Sequence, residues 1–197
     1  MTCMNEGDLV IRVKAGNTEA FRYLILSYQK MVLHIAGRII TRQEDLEDVC
    51  QEVFLKVIRN IGSFRGDSKL STWIASIAYH TSLSHLKKSR RRLNVYIEDI
   101  STAEKRWLAE DYHAGFEKKE LKTLLLEMIE KLPVHYRSVL TLYYLEEFSY
   151  SEVGKITGMP EGTVKSYLNR ARNLLKEKIE MMETIQKQVL LSEYGRE

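Results

Sequence analysis

Hydrophobic side chains return every three or four positions along most of this chain, the repeat of helices that bury one face. Behind Asn17, a residue suited to an N-cap, Phe21, Leu24, Ile25, Tyr28, Met31, Val32 and Ile35 form a first stripe. A break around Ile40, Thr41, Arg42 and Gln43 precedes a second stripe of Leu46, Val49, Cys50, Val53, Phe54, Val57 and Ile61. From Ile61 to Ser68 two glycines and polar fillers predict a loop. Ser71 or Thr72 is placed to cap the next helix, whose buried face is Trp73, Ile74, Ile77, Ala78, Thr81 and, in looser phase, Leu86. Trp73 is in phase with Ile77 and is expected in the core. Tyr79 is off that stripe and is expected at the surface. Helix is thus predicted almost throughout from about Glu6 to Lys88.

The periodicity weakens from Leu93 to about Glu117, where the chain turns acidic, and residues 93–120 read as a linker with a short helix near Glu104–Glu110. A new amphipathic pattern follows in Leu121, Leu124, Leu125, Met128, Ile129 and Leu132, stopped near Pro133, and another begins with Tyr136, Val139, Leu140, Leu142 and Tyr143. The expected fold is all-α: two small helical domains, residues 1–92 and 121–197, joined by a flexible linker.

With 197 residues, 2 Pro and 10 Gly, the composition favours long helices over a turn-rich β-sandwich. No stretch approaches the length of a membrane-spanning apolar run, and the first residues lack a basic segment followed by an apolar one, so neither membrane insertion nor secretion is expected. Cys3 and Cys50 are not expected to pair, which fits a reducing compartment. The five histidines, His34, His80, His85, His113 and His135, never meet a Cys or another His at i,i+4, and no phosphate loop, nucleophile elbow or dinucleotide fingerprint occurs. No metal, cofactor or small-molecule substrate is therefore expected.

The net charge of +3 is an average over segments of opposite sign. Residues 65–92 hold seven bases and one acid, five of the bases in the run from Lys87 to Arg92, and residues 149–178 hold six bases and three acids. Residues 93–120 between them hold four bases and seven acids. Two basic blocks on one chain point to a polyanion partner.

The second block contains a helix-turn-helix pattern. Ser149 or Ser151 suits the cap of a first helix with Val153 and Ile156 inside, Gly154 is small where the helices approach, and Gly158 supplies the turn. Pro160 and Glu161 suit the start of a second helix, which Val164 and Leu168 hold to the core. Its outer face presents Thr163, Lys165, Ser166, Asn169, Arg170 and Arg172, short polar groups for base edges followed by cations for phosphates. In the first domain, the run from Glu44 to Glu52 holds five carboxylates and no base, either a solvated face or a docking face for a basic partner. Beyond it a polar loop, Phe64 to Lys69, leads into a helix ending in cations, as suits phosphates along the helix and a base in the loop.

Taken together, these motifs resemble an extracytoplasmic-function (group IV) sigma factor of the sigma-70 family, the compact class of bacterial transcription initiation factors. The resemblance rests on Asp48-Val49-Cys50-Gln51-Glu52-Val53-Phe54, Phe64-Arg65-Gly66-Asp67-Ser68, Ser71-Thr72-Trp73-Ile74 with Ile77-Ala78, Leu132-Pro133 with Arg137, Ser149 to Gly158, and Gly162 to Ser166 with Arg170-Ala171-Arg172. It implies that Asp48, Gln51 and Glu52, with Asp45 alongside, dock on the coiled coil of the largest subunit of core RNA polymerase. It further implies that Phe64, Arg65, Asp67, Ser68, Lys69 and Thr72, with His80, melt the minus-ten element and hold a flipped base, with Lys87, Lys88 and Arg90 near phosphates. Thr163, Lys165, Ser166, Asn169, Arg170 and Arg172 are then the readers of minus-35 promoter DNA. The second domain would also touch the polymerase flap, and the linker would lie in the RNA exit path. An anti-sigma factor is the implied regulator, and the implied location is the cytoplasm and nucleoid, or the membrane surface through such a partner. His80, Ser84 and Lys87 stand where the family often has Asn, Asp and Arg, so minus-ten preference does not carry over; Tyr167 replaces a frequent Arg. The segment from Glu180, with Met181, Ile185, Val189 and Leu190, predicts a continued helix. A stand-alone helix-turn-helix regulator with a sensing or dimerising N-terminal domain is the alternative, and a helical enzyme using Glu44–Glu52 a distant third.

Overall fold

The computed structural model describes residues 5–92 and 121–194, and every regular element among them is a helix. The linker at 93–120, its expected short helix and Cys3 lie outside the described residues. The first group comprises α1 (Glu6–Lys14), α2 (Thr18–Gly37), α3 (Gln43–Asn60), a 3₁₀ turn (Ile61–Ser63) and α4 (Leu70–Arg92). The second comprises α5 (Leu121–Lys131), α6 (Val134–Leu140) running into one wide π turn (Thr141–Leu145), α7 (Tyr150–Thr157) and α8 (Glu161–Tyr194).

Local side-chain caps explain the starts of α1 and α2. The Asn5 side chain accepts from the Gly7 N–H at 3.2 Å, and Asn17 accepts from the Ala20 N–H at 2.8 Å, so the second is the cap its position predicts. Gly16, at φ 77°, makes the reversal between α1 and α2 in a conformation that an L side chain resists. Leu24, Val32, Val49, Val53, Val57 and Ile74 are wholly buried where the stripes of α2, α3 and α4 meet. Burying each such side chain contributes about 1.5–3 kcal/mol.

Helix α4 begins at Leu70, ahead of the expected cap at Ser71 or Thr72. Its acceptor comes from elsewhere: the Glu6 carboxylate of α1 takes the Leu70 N–H. Tyr79 is also not where its phase predicts, with only 2% of its surface exposed. The reason lies in the second helical group. Helix α4 packs against α2 and α3 on one side and against α7 on another, so a helix expected to bury one stripe buries more. Burial, with the Tyr167 phenol as the smaller contribution, pushes the Tyr79 hydroxyl up to about 12.

The two groups are thus in contact, and their buried residues form one continuous core. Among the described residues, two ion pairs, Arg38 to Glu130 at 2.9 Å and Lys69 to Glu152 at 3.0 Å, and a hydrogen bond between His34 Nδ1 and the Glu146 carboxylate at 2.6 Å join them. The continued C-terminal helix is present as the end of α8, with Met182 buried and the neighbouring Met181 exposed, one position off the expected stripe.

Candidate nucleic-acid interface

The helix-turn-helix is α7, its turn and the first half of α8. Ser149 and Glu152 form a reciprocal cap: the Glu152 N–H donates to Ser149 Oγ at 3.3 Å, and the Ser149 N–H donates to the Glu152 carboxylate at 2.9 Å. Gly158 ends α7 with φ 76°. A Cβ at Gly154 would sit 2.9 Å from the carbonyl oxygen of Met159, so it is the backbone of the turn itself that excludes a side chain there. Val164 and Leu168 are buried at 0% and 1%, as their spacing requires.

That anchoring leaves Lys165, Ser166, Asn169, Arg170 and Arg172 exposed along α8, with Thr163 half-buried at its start. Ser166 Oγ donates to the Gly162 carbonyl at 2.9 Å, and Arg172 Nε to the Leu168 carbonyl at 3.3 Å. Lys165 lies 2.9 Å from Glu161 and 5.3 Å from the centre of the Tyr150 ring, and the Glu161 hydrogen bond holds its ammonium above the ordinary value. Tyr167 turns inward, its ring 5.4 Å from Tyr136 and 6.4 Å from His135. Burial, helped by the Lys87 cation, lowers the pKa of His135.

The loop of residues 64–69 is the second polar surface. Arg65, Asp67 and Lys69 are exposed, Ser68 is half-buried, and Gly66 at φ 83° bends the chain between them. The Phe64 ring tilts onto Trp73 at 5.4 Å, which keeps both half-buried. Thr72 is buried at 2%. Downstream, His80, Lys87 and Lys88 are exposed on α4, and the Arg90 side chain lies outside the described residues. His80 and Ser84 line a cleft of about 270 Å³ with Lys56 and Asn60 of α3.

Three tethers on this loop have no local sequence signal. Lys14 Nζ donates to the Phe64 carbonyl at 2.9 Å, the Glu6 carboxylate takes the Leu70 N–H, and Lys69 pairs with Glu152 of α7. The last contact ties the loop to the helix-turn-helix cap. The Ser149 backbone N–H, followed by Lys69, holds the Glu152 carboxyl down to about 2.

A third surface is carried by α3. Asp48, Gln51 and Glu52 are exposed, Asp45 is partly covered with Arg42 Nε at 3.9 Å, and Glu52 pairs with Lys56 at 2.8 Å. Beside them Phe21, Ile25, Leu33, Phe54, Leu55 and Ile58 line a groove of about 680 Å³ between α2 and α3, bordered by Gln51. Leu33, Leu55 and Ile58 are 46%, 51% and 41% exposed, an apolar patch next to a carboxylate row. No group of His, Cys, Asp or Glu arranged to hold a metal occurs among the described residues.

Comparison with known proteins covers both helical groups. Residues 24–92 match the family model for Sigma-70 region 2, and residues 122–175 match that for Sigma-70, region 4. The chain is 33% identical over 192 residues to the ECF RNA polymerase sigma-E factor of Haemophilus influenzae, covering 90% of this chain and 96% of that protein. It is 33% identical over 181 residues to the RNA polymerase sigma-H factor of Pseudomonas aeruginosa, covering 89% of this chain and 94% of that one. Among solved structures, the sigma factor RpoE of Bartonella quintana, in complex with the anti-sigma factor NepR, shares the fold with a TM-score of 0.64 and 23% identity. That match covers 83% of this chain and 98% of that one. CnrH, in complex with the cytosolic domain of CnrY, has the same TM-score of 0.64 at 17% identity, covering 89% and 97% of the two chains.

Proposed function

The chain belongs to the extracytoplasmic-function group of the sigma-70 family, and from that premise we propose how its surfaces divide the work of promoter-specific initiation. The family is one of non-enzymatic transcription initiation factors, and the chain is a sigma factor acting with core RNA polymerase on promoter DNA. Residues 1–92 form the module for polymerase docking and the minus-ten element, 93–120 the connection, and 121–197 the module for the minus-35 element. Asp45, Asp48, Gln51 and Glu52 dock on the polymerase, with the neighbouring apolar groove extending the contact. Phe64, Arg65, Asp67, Ser68 and Lys69 capture minus-ten bases, and His80, Lys87, Lys88 and Arg90 follow the strand along α4. Thr72, expected at the same surface, is instead buried at the start of α4, where its hydroxyl is out of reach of DNA. Thr163, Lys165, Ser166, Asn169, Arg170 and Arg172 read the minus-35 element from the exposed face of α8. Melting is driven by binding: unstacking costs a few kcal/mol per base and is offset by base capture and phosphate contacts.

An anti-sigma protein controls the factor in this reading, which the complex of the Bartonella quintana sigma factor RpoE with the anti-sigma factor NepR supports. The factor then works at the nucleoid and is held at the membrane surface when its partner is anchored there. No helix among the described residues is long and apolar enough to cross a membrane.

The observation that carries the reading is the 33% identity over 192 residues to an ECF sigma-E factor, because it spans both helical groups. The test is run-off transcription from a genomic template library with core polymerase free of other sigma factors. Promoter-specific transcripts that depend on this protein are expected, and their absence overturns the reading. For the division of labour, Gln51→Ala with Glu52→Ala is expected to weaken polymerase binding about tenfold or more while minus-35 duplex binding is unchanged. Equal loss of both activities would contradict it.

A further inference from the structure

We propose that α1 is a brace for the loop of residues 64–69, with Glu6 and Lys14 as positioning residues that set its geometry for base capture. The inference rests on the reading of that loop as the minus-ten surface. Glu6 and Lys14 stand at opposite ends of α1, and they hold opposite ends of the loop. At one end, Lys14 Nζ donates to the carbonyl of Phe64, which fixes the peptide just after the 3₁₀ turn and before the bend at Gly66. At the other, the Glu6 carboxylate accepts from the Leu70 N–H, the first of the unpaired amides of α4, and does the work of an N-cap from another helix. The brace is itself anchored: Asn5 caps α1, and Leu9, Val10 and Val13 are buried in the core.

This arrangement fits a loop that must present several polar side chains in one conformation. The segment has one left-handed glycine, and its residues make few hydrogen bonds of their own, so its backbone would otherwise sample several shapes. Two charge-assisted bonds from one preformed helix remove that freedom before DNA arrives, and preorganisation of this kind raises affinity and selectivity together. Neither Glu6 nor Lys14 need touch DNA.

The experiment uses full-length protein in holoenzyme with a promoter recovered from the run-off assay, its minus-ten region opened by mismatches. Discrimination between the captured base and the other three is measured for Lys14→Met, Glu6→Ala, the loop variants Phe64→Ala and Arg65→Ala, and the conservative Lys14→Arg and Glu6→Gln. Lys14→Met and Glu6→Ala are each expected to reduce base discrimination about fivefold at unchanged polymerase affinity, with substantial recovery in Lys14→Arg and Glu6→Gln. Loss in the loop variants without loss in Lys14→Met or Glu6→Ala overturns the brace and leaves the minus-ten reading standing. No change in any variant overturns that reading, and the brace with it. A loss equal for all four bases makes α1 merely structural and also overturns the proposal.

Discussion

In the helix-turn-helix, the residues that shape the reading surface lie close to it in sequence, whereas the loop at 64–69 is held from 50 and 64 positions away. The first unit carries its own cap, its own left-handed glycine and its own buried pair. Its geometry is written where it is used. The second borrows its geometry from α1 and α7. The difference matches the two proposed tasks: a recognition helix enters the major groove as one fixed face, while an unstacked base is held in a pocket that distant elements shape.

The largest expected effect breaks the self-contained side of that contrast. Gly154→Val should cost about 3 kcal/mol, since even a Cβ at this position lies 2.9 Å from the Met159 carbonyl oxygen. Calorimetry should show a lower melting temperature, and minus-35 duplex binding should be lost while the α3 face still docks on polymerase. An unchanged melting temperature would show that the turn yields and that the close approach is not what requires glycine.

Glu152 is where the two kinds of construction meet, because one carboxylate closes the helix cap and holds Lys69. Glu152→Gln should cost about 1 kcal/mol at neutral pH and loosen the loop as well as the cap. Its pH signature has a definite sign. The folded-state value near 2 lies below the ordinary 4.5, so the stabilisation is complete above about 4.5 and is lost as pH falls from there through about 2. Melting temperatures across that window should fall more steeply in the parent protein than in Glu152→Gln. Parallel curves would remove Glu152 as the shared node.

The smallest effect sharpens the contrast from the DNA side. Arg170→Ala should weaken minus-35 binding similarly for all sequences and reduce the salt slope by about 0.9, the signature of one phosphate contact. An unchanged slope with altered base preference would move Arg170 from phosphates to base edges.

The same local-versus-distant division decides what was legible in the sequence. Asn17, Gly158, Val164 and Leu168 act through neighbours within a few positions, so spacing alone locates their roles, and it narrows the cap of α7 to Ser149 or Ser151, of which the structure uses Ser149. Tyr79 is buried off the predicted stripe because periodicity describes one buried face, and α4 is covered by the other helical group as well. The start of α4 was misplaced for a related reason, since its acceptor is Glu6 rather than a nearby hydroxyl. The brace residues gave no signal at all: a lysine and a glutamate at the ends of an amphipathic helix are ordinary until their distant partners are seen. The carboxylate row on α3 is visible as charge in the sequence, but the apolar groove beside it depends on how α2 and α3 are juxtaposed.

The packing of α7 on α4 also sets a length problem for promoter engagement. Elements centred near positions minus 10 and minus 35 are separated by about 85 Å of duplex at about 3.4 Å per base pair. The 28 residues between Arg92 and Leu121 reach at most about 100 Å when fully drawn out. In the proposed division of labour, two readers in contact cannot occupy sites that far apart, so engagement of a complete promoter requires α7 to leave α4 and Lys69 to give up the Glu152 carboxylate. On that proposal the apparent affinity for a complete promoter is the intrinsic affinity multiplied by the fraction of chain in the separated arrangement. In that division of labour, stability and promoter affinity are opposing uses of one helix face.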